Sequence, residues 1–281
     1  MHIKSLQIHV PAGCLNKCEF CVSAQHNNRY KTVSSKERYG DCIKFAKDNG
    51  CNSMVISSSG EPMMNEKYIL NVLKMNRNSK DPFQWIELQT SGMFLNDNIL
   101  KKFYKLGLKT VSLSLSSIWH SGENFLYNGA PPKICYVEII DTCNMIIRQG
   151  LNLRLSLNMT DKQLSDERTP ADLFEHARIL LANSITFRKL YADPQTPQGK
   201  WIKRYGLKKV YFQMLNHYIT GKGEAGELLP SGDRRYFVDG ISTVIYDDCM
   251  AKQNNDDFRY LILRPNCRLY TRWDDDGSIL F

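Results

Sequence analysis

The chain has 281 residues, of which 42% are hydrophobic and 23% charged, and its formal net charge is +8. That balance describes an ordinary soluble globular chain, long enough to bury a core without staples. It excludes a membrane-spanning helix, because no apolar run approaches the roughly 20 residues needed to cross a bilayer.

Residues 1–199 hold 24 Lys and Arg against 18 Asp and Glu, and residues 200–281 hold 13 against 11. Split this way the excess is diffuse and forms no nucleic-acid tail, although weak attraction to an anionic substrate or to RNA stays open. The opening MHIKSLQIHVPAG lacks the apolar core and cleavage site of a signal peptide, so a cytoplasmic protein is expected. Cysteines stand at 14, 18, 21, 42, 51, 135, 143, 249 and 267. An odd number without a leader argues for free thiols and against a disulfide framework.

Strand-like and helix-like stretches alternate along the first two thirds. Ser5–Val10 opens as a strand. Ser35–Asn49 has helical spacing through Tyr39, Cys42, Ile43 and Ala46 and stops at Gly50. Ser53–Ser58 is the second strand, and Asn65 caps a helix running to Met75. Trp85–Thr90 is the third strand, followed by a helix over Asn96–Leu106. Thr110–Ser116 is the fourth strand, Lys133–Arg148 the next helix and Asn152–Met159 the fifth strand. A helix over Pro170–Ala182, capped by Thr169 or Ser165, leads to a sixth strand over Ile185–Tyr191.

Six such repeats predict an α/β fold with a parallel sheet, curled by right-handed crossovers into a partial (β/α)6 barrel. Sites in such barrels lie at the carboxyl ends of the strands. Beyond residue 200 the pattern changes. Gly221–Gly232 reads as a glycine-rich loop and Ile241–Tyr246 as a strand. Arg259–Leu263 and Arg268–Trp273 read as a hairpin around Pro265-Asn266. The expected division is a barrel over residues 1–200 and a β-rich C-terminal extension over 201–281, covering its open side.

Cys14-Leu-Asn-Lys-Cys18-Glu-Phe-Cys21 follows the first strand directly. Three thiolates on one short loop can converge on zinc or on an iron–sulfur cluster. Three ligands leave one corner of a four-iron centre open, whereas a structural zinc site is closed by four. His26 is five residues on and leaves a Cys3His zinc site as an alternative.

CLNKCEFC resembles the signature of the radical S-adenosylmethionine superfamily, including the aromatic Phe20 before the last cysteine. The resemblance implies that Cys14, Cys18 and Cys21 bind three irons of a [4Fe–4S] cluster and that the fourth iron chelates S-adenosylmethionine. One electron then cleaves the sulfonium to a 5′-deoxyadenosyl radical. It also implies a reductant partner such as flavodoxin or ferredoxin. Ser57-Ser-Ser-Gly60-Glu61-Pro62, after the second strand, resembles the family's GGEP-type motif with Ser59 in place of the first glycine.

Gln89-Thr90-Ser91-Gly92 resembles the turn after the third strand that lies near the same ligand. Ser112, Ser114 and Ser116 alternate along the fourth strand and share a face. By resemblance Ser114 and Ser116 contact ribose or carboxylate, while hydroxyls bonded to neighbouring backbone are the plain alternative. Asn158 is a ribose or methionine contact by the same resemblance. Arg188 would meet a carboxylate of the cofactor or substrate, or a structural salt bridge. Phe20 packs on adenine or fills core.

The long segment Ile118–Pro132 offers Trp119, His120, Asn124 and Tyr127 as a lid or substrate wall, and Tyr191 lies on the same rim. Asp274-Asp-Asp276 reads as a solvated turn. Arg264, Arg268 and Arg272 recur every four residues, a spacing compatible with a phosphate-bearing substrate. The sequence thus leads to a radical enzyme for a small polar or phosphorylated molecule. RNA or peptide modification, and a non-catalytic cysteine metal site, are the competing readings. No membrane partner is expected, and nucleic acid is not favoured.

Overall fold

The computed structural model describes residues 2–26, 36–229, 233–246, 257–273, 275 and 277–280. Ser35, Gly232, Cys249, Asp274 and Asp276 lie outside that set. The six repeats form as β1 (His2–His9), α1 (Lys36–Asp48), β2 (Ser53–Ser57), α2 (Glu66–Arg77), β3 (Trp85–Thr90), α3 (Asp97–Lys105) and β4 (Thr110–Leu115), then α4 (Ser121–Tyr127), α5 (Ile139–Arg148), β5 (Asn152–Asn158), α6 (Pro170–Ile179) and β6 (Ser184–Arg188). Local chemistry sets the helix starts. Asn65 accepts from the Tyr68 amide, Asn96 from the Ile99 amide, and Thr169 with Asp172 forms a reciprocal capping box.

The last third holds α7 (Pro197–Tyr205), α8 (Lys209–Lys222), β7 (Glu224–Leu228), β8 (Arg234–Val238), β9 (Ile241–Tyr246), β10 (Asp257–Leu263) and β11 (Leu269–Tyr270). All strands join one open sheet in the order β11-β10-β1-β2-β3-β4-β5-β6-β9-β8-β7. β9 pairs parallel with β6 and β10 parallel with β1. The tail therefore lengthens the barrel wall at both edges. Residues 200 and 201, the expected boundary, fall inside α7.

Several expectations are corrected. The helix expected over Lys133–Arg148 begins at Ile139, because Tyr136–Glu138 run extended and the Ile139 amide is taken by the Ser121 hydroxyl at 3.0 Å. The segment after β4 contains α4 instead of being a plain loop. The described part of the expected Gly221–Gly232 loop is the end of α8 plus β7, which pairs with β8. The expected hairpin forms as β10 and β11, antiparallel, but its first strand is held mainly by β1, with six paired positions against two.

One face of the sheet is apolar. Ile8, Ile56, Leu88, Val111, Leu113, Leu155 and Phe187 are all 1% exposed or less and lie in one core beneath the helices. The other face is polar. Register sets Gln89 beside Ser112 and Ser112 beside Arg154, then Ser156 beside Thr186 and Asn158 beside Arg188. Paired neighbours share a face, so these side chains line the concave side.

Candidate active site

The loop carrying the three cysteines leaves β1 at the carboxyl end of the sheet and is held by backbone contacts from two neighbours. From the β2 side, the Val10 amide donates to Ser57 O at 2.7 Å and the Glu61 amide to Gly13 O at 2.9 Å. A Cβ on Gly60 would stand 2.2 Å from that same Gly13 oxygen, so only glycine fits. From the β4 side, the Lys17 amide donates to Asn128 O at 2.9 Å. A Cβ on Gly129 would stand 2.6 Å from Lys17 O. The cysteine loop is thus gripped between two glycines 69 positions apart in the chain.

Within that grip Cys14 is exposed and Cys18 and Cys21 are half-buried, and every cysteine among the described residues is a free thiol. Burial pushes the Cys18 thiol up, and the adjoining Cys21 and Cys14 sulfurs push it further. Cys14 is raised by burial as well, with Glu61, Cys21 and Cys135 adding to it against the lowering bond from the Asn16 backbone. Cys18 Sγ also donates to Asn128 Oδ1 at 3.4 Å. Among the described residues, no three His, Cys, Asp or Glu side chains stand close enough to grip one metal ion. Three thiols on one short loop, with Cys18 feeling the charges of Cys21 and Cys14, are the soft donor set that a thiolate-bound iron–sulfur cluster takes.

The motif after β2 is tied inward. His9 Nε2 accepts from the Ser59 amide at 2.5 Å and meets the Ser59 hydroxyl at 2.7 Å. Burial, with the Arg264 charge second, lowers His9 to about 4, so the ring is neutral and acts as an acceptor. Glu61 is 2% exposed. Its Oε1 accepts from the Met63 amide at 3.1 Å and Thr90 Oγ1 at 2.5 Å, and its Oε2 from the Ser91 amide at 2.8 Å and Ser91 Oγ at 2.6 Å. Burial raises the carboxyl against the lowering of these bonds. Thr90 and Glu61 therefore spend their polar atoms on each other and on the loops they join. Pro62 is buried and opens the short 3-10 turn Pro62–Asn65.

A cavity of about 400 Å³ occupies the concave side, with Ser57–Ser59, Val22 and Trp273 on its walls. Its charged and amide groups are Gln7, Glu87, Gln89, Arg154 and Arg188, with the neutral His9 ring beside them. Arg154 pairs with Glu87 and donates to Ser184 Oγ at 3.3 Å, and Gln89 Nε2 donates to Glu87 Oε1 at 3.2 Å. Arg188 Nε donates to Ser156 Oγ at 2.6 Å and its guanidinium lies 5.9 Å from the Tyr246 ring centroid. Asn158 sits beside Arg188 at the end of β5.

The rim brings some expected residues together and separates others. Phe20 packs on Trp201 at 5.9 Å between ring centroids, and Tyr127 meets Trp201 edge-on at 5.2 Å. Tyr127 donates to Asp161 Oδ1 at 2.6 Å. Tyr191 stacks near His26 at 5.4 Å, and its carbonyl accepts from Gln25 Nε2 at 3.0 Å. Trp119 and His120 face away from the barrel. They line a separate pocket of about 310 Å³ with His176 and Glu138, and Trp119 Nε1 donates to Gln163 O at 3.0 Å.

Asn124 is internal. Its Oδ1 accepts from the Ser116 and Ser117 amides at 2.7 and 3.2 Å and from Ser116 Oγ at 3.1 Å. Ser116 is spent on Asn124, whereas Ser114 borders a crevice with Ser91, Asn128 and Cys135. Arg264, set aside for a phosphate, is 1% exposed and donates to the carbonyls of Arg272 and Trp273 at 3.0 and 2.8 Å.

Six site residues carried no role in the sequence: His9, Gln25, Glu87, Asn128, Gly129 and Arg154. Only His9 carried a local signal, alternating with Gln7 on the polar side of an otherwise apolar strand.

A half-open parallel barrel with three cysteines on its first loop defines a class of cluster-dependent enzymes. The sequence profile of the Radical SAM superfamily matches residues 8–182, and the chain belongs to that superfamily. It is 30% identical over 110 residues to an uncharacterized protein of Methanocaldococcus jannaschii, an alignment covering 39% of this chain and 33% of that protein. Its fold is similar to SuiB of Streptococcus suis bound to S-adenosylmethionine (TM-score 0.65, 14% identity, 97% of this chain and 60% of SuiB).

It is similar also to anSMEcpe with bound AdoMet (0.65, 13%, 98% and 77%) and to HydG, a maturase of the [FeFe]-hydrogenase (0.57, 15%, 76% and 48%). The chain spans a third of the curated relative and three fifths of SuiB. At these identities the likeness to the solved structures is one of fold. Among the described residues no helix is long and apolar enough to cross a membrane.

Proposed function

We propose that Cys14, Cys18 and Cys21 hold three irons of a [4Fe–4S] cluster, that S-adenosylmethionine binds beside it, and that a small polar or phosphorylated substrate is taken into the barrel. The observation that carries this reading is the thiol trio on one short loop clamped by Gly60 and Gly129, with burial and the neighbouring sulfurs disfavouring the thiolates of Cys14 and Cys18 until a metal takes them. When bound, the cluster supplies the electron that cleaves S-adenosylmethionine to a 5′-deoxyadenosyl radical, which abstracts hydrogen from substrate.

The chain's own residues bind, orient and exclude water. Gly60 and Pro62 present backbone along the cysteine loop, and Glu61, buried and fully bonded, fixes that backbone to the Thr90–Ser91 turn. Gln89, Ser114, Asn158 and Arg188 stand on the concave side or its rim, where a polar ligand meets donors and acceptors. A cavity of about 400 Å³ falls in the range of metabolite-sized pockets. Arg154, Arg188 and Glu87 give it both signs of charge, which orients a polar substrate and disfavours an apolar one. A peptide substrate is the second reading, favoured by the fold likeness to SuiB, solved also with its precursor peptide SuiA.

The test is anaerobic purification and reconstitution. The expected product is a brown protein with about four irons per chain that forms 5′-deoxyadenosine from S-adenosylmethionine and dithionite. Replacing the three cysteines by serine removes both. Colourless protein with one tightly bound zinc, or undiminished turnover in the triple variant, overturns the reading. Deuterium transfer from labelled small molecules or peptides into the nucleoside then separates the two substrate classes.

A further inference from the structure

The positive charge of this chain is concentrated. Residues 200–222, from within α7 to the end of α8, contain six Lys or Arg and no Asp or Glu. The 59 residues that follow contain seven against eleven. The near-balance of residues 200–281 is thus the sum of a basic segment and an acidic one. Lys200, Lys203, Arg204, Lys208 and Lys209 are all exposed, and among the described residues none of them lies within ion-pair distance of a carboxylate. Carboxylates on the same rim have other partners: Asp161 takes the Tyr127 hydroxyl, Asp166 the Tyr211 hydroxyl and Asp193 the Gln195 amide.

Lys203 and Arg204 lie in the last turn of α7, where a helix favours cations, but Lys208 and Lys209 sit where it does not. Lys208 is the N-cap of α8 and Lys209 its first residue, and neither α7 nor α8 has an acidic residue in its first turn. A helix N-terminus carries partial positive charge and favours anions. Local rules broken without compensation mark positions kept for a role outside the fold.

The place of α7 supplies that role. It runs along the barrel rim from the cysteine loop to the end of β5. At its start, Gln25 Oε1 accepts from the Asp193 amide at 2.8 Å and from Thr196 Oγ1 at 3.3 Å, and Thr196 caps the helix through the Gly199 amide at 3.0 Å. At its end, the Asp161 amide donates to Tyr205 O at 2.8 Å and the Leu207 amide to Met159 O at 2.9 Å. In between, the Trp201 ring rests on Phe20, the residue preceding Cys21. The outer face of α7 is therefore one packed aromatic pair away from the cysteine loop.

Resting on the function proposed above, we infer that the exposed basic face of α7 and the start of α8 is the docking surface for an acidic one-electron carrier protein of the flavodoxin or ferredoxin kind. Opposite charge steers such a partner to the surface, and the Trp201–Phe20 contact brings it within close range of the site it must reduce. The same cations would attract RNA, but RNA has no reason to need the route through Trp201 and Phe20.

The test uses the cluster-loaded enzyme and the triple variant Lys203→Glu, Arg204→Glu, Lys208→Glu. Reduced flavodoxin is mixed anaerobically with each at low salt, and 5′-deoxyadenosine formation is followed. The variant is expected to lose about tenfold or more in the carrier-driven rate, the size of an electrostatic steering effect, together with most of its salt dependence. Its dithionite-driven rate is expected to match that of the unaltered enzyme.

Equal carrier-driven rates overturn the proposal. So does a parallel loss with dithionite, which marks a structural role, or a loss of single-stranded RNA binding with carrier-driven turnover intact. Failure of the underlying function shows separately, as unaltered enzyme that makes no 5′-deoxyadenosine even with dithionite, and it takes this proposal with it.

Discussion

Gly13 and Gly60 meet backbone to backbone: a methyl group on Gly60 would stand 2.2 Å from the Gly13 carbonyl oxygen, and the amide of the next residue donates to that oxygen at 2.9 Å. The contact locks the loop after β1 to the loop after β2. It fixes one side of the cysteine loop before any ligand arrives.

Gly60→Ala is expected to force these loops apart. Anaerobic reconstitution should then leave well under half of the about four irons per chain of the loaded protein, while far-ultraviolet circular dichroism is unchanged. Gly122→Ala is the control, because a Cβ there meets nothing within 4 Å. Full iron loading in Gly60→Ala would show that the grip is dispensable.

Glu61→Gln tests the buried carboxylate. All four of its contacts are with groups able to donate, two of them backbone amides that can only donate. An amide side chain must turn its NH2 toward the Ser91 or the Met63 amide, leaving a buried donor facing a donor. The expected loss is about 1–3 kcal/mol, read as a lowered urea midpoint of the cluster-free chain with unchanged slope. A midpoint within error of the unaltered chain would place Glu61 outside the framework.

His9 links stability to pH. Its folded value of about 4 lies below the ordinary 6.5, so between these values the unfolded chain binds more protons. Stability then rises with pH, is fully present above about 6.5, and is lost as pH falls toward 4. The histidine contributes up to about 3 kcal/mol to that loss. His9→Gln keeps an acceptor for Ser59 and cannot titrate. Its unfolding free energy, measured from pH 7 to pH 4 beside that of the parent, should fall by correspondingly less. Parallel curves would remove His9 from the acid response.

Asn124 and His120 belong to one helical turn but do different work. Asn124→Ala strands the Ser116 and Ser117 amides in the interior, at a cost of about 2–4 kcal/mol. His120→Ala alters an exposed side chain without a capping bond and is expected to stay within about 0.5 kcal/mol. Equilibrium unfolding of the two variants checks both values. A small change at Asn124 would mean that β4 ends without its help.

The six β/α repeats were legible because their signals are local. Alternation along Thr110–Leu115 and caps at Asn65 and Asn96 depend on neighbours within a turn or a strand. The same holds for Cys14, Cys18 and Cys21, spaced within eight residues. The helices α7 and α8 were not legible. α8 buries only Leu215 and Ile219, too few apolar positions for a clear period. Ser116 and Asn124 were readable as candidates, but not as partners of each other.

The amino-acid order alone determined that a thiol trio follows the first strand of a parallel α/β sheet, because spacing and periodicity are properties of the chain. Only the folded arrangement decided that His9 meets Ser59, that Asn128 and Gly129 brace Lys17, and that the C-terminal strands extend both edges of the barrel. Those partners are 50 to 255 residues apart. What brings them together is strand order and register, which follow from burying one apolar face beneath the helices while leaving the polar face to line a cavity.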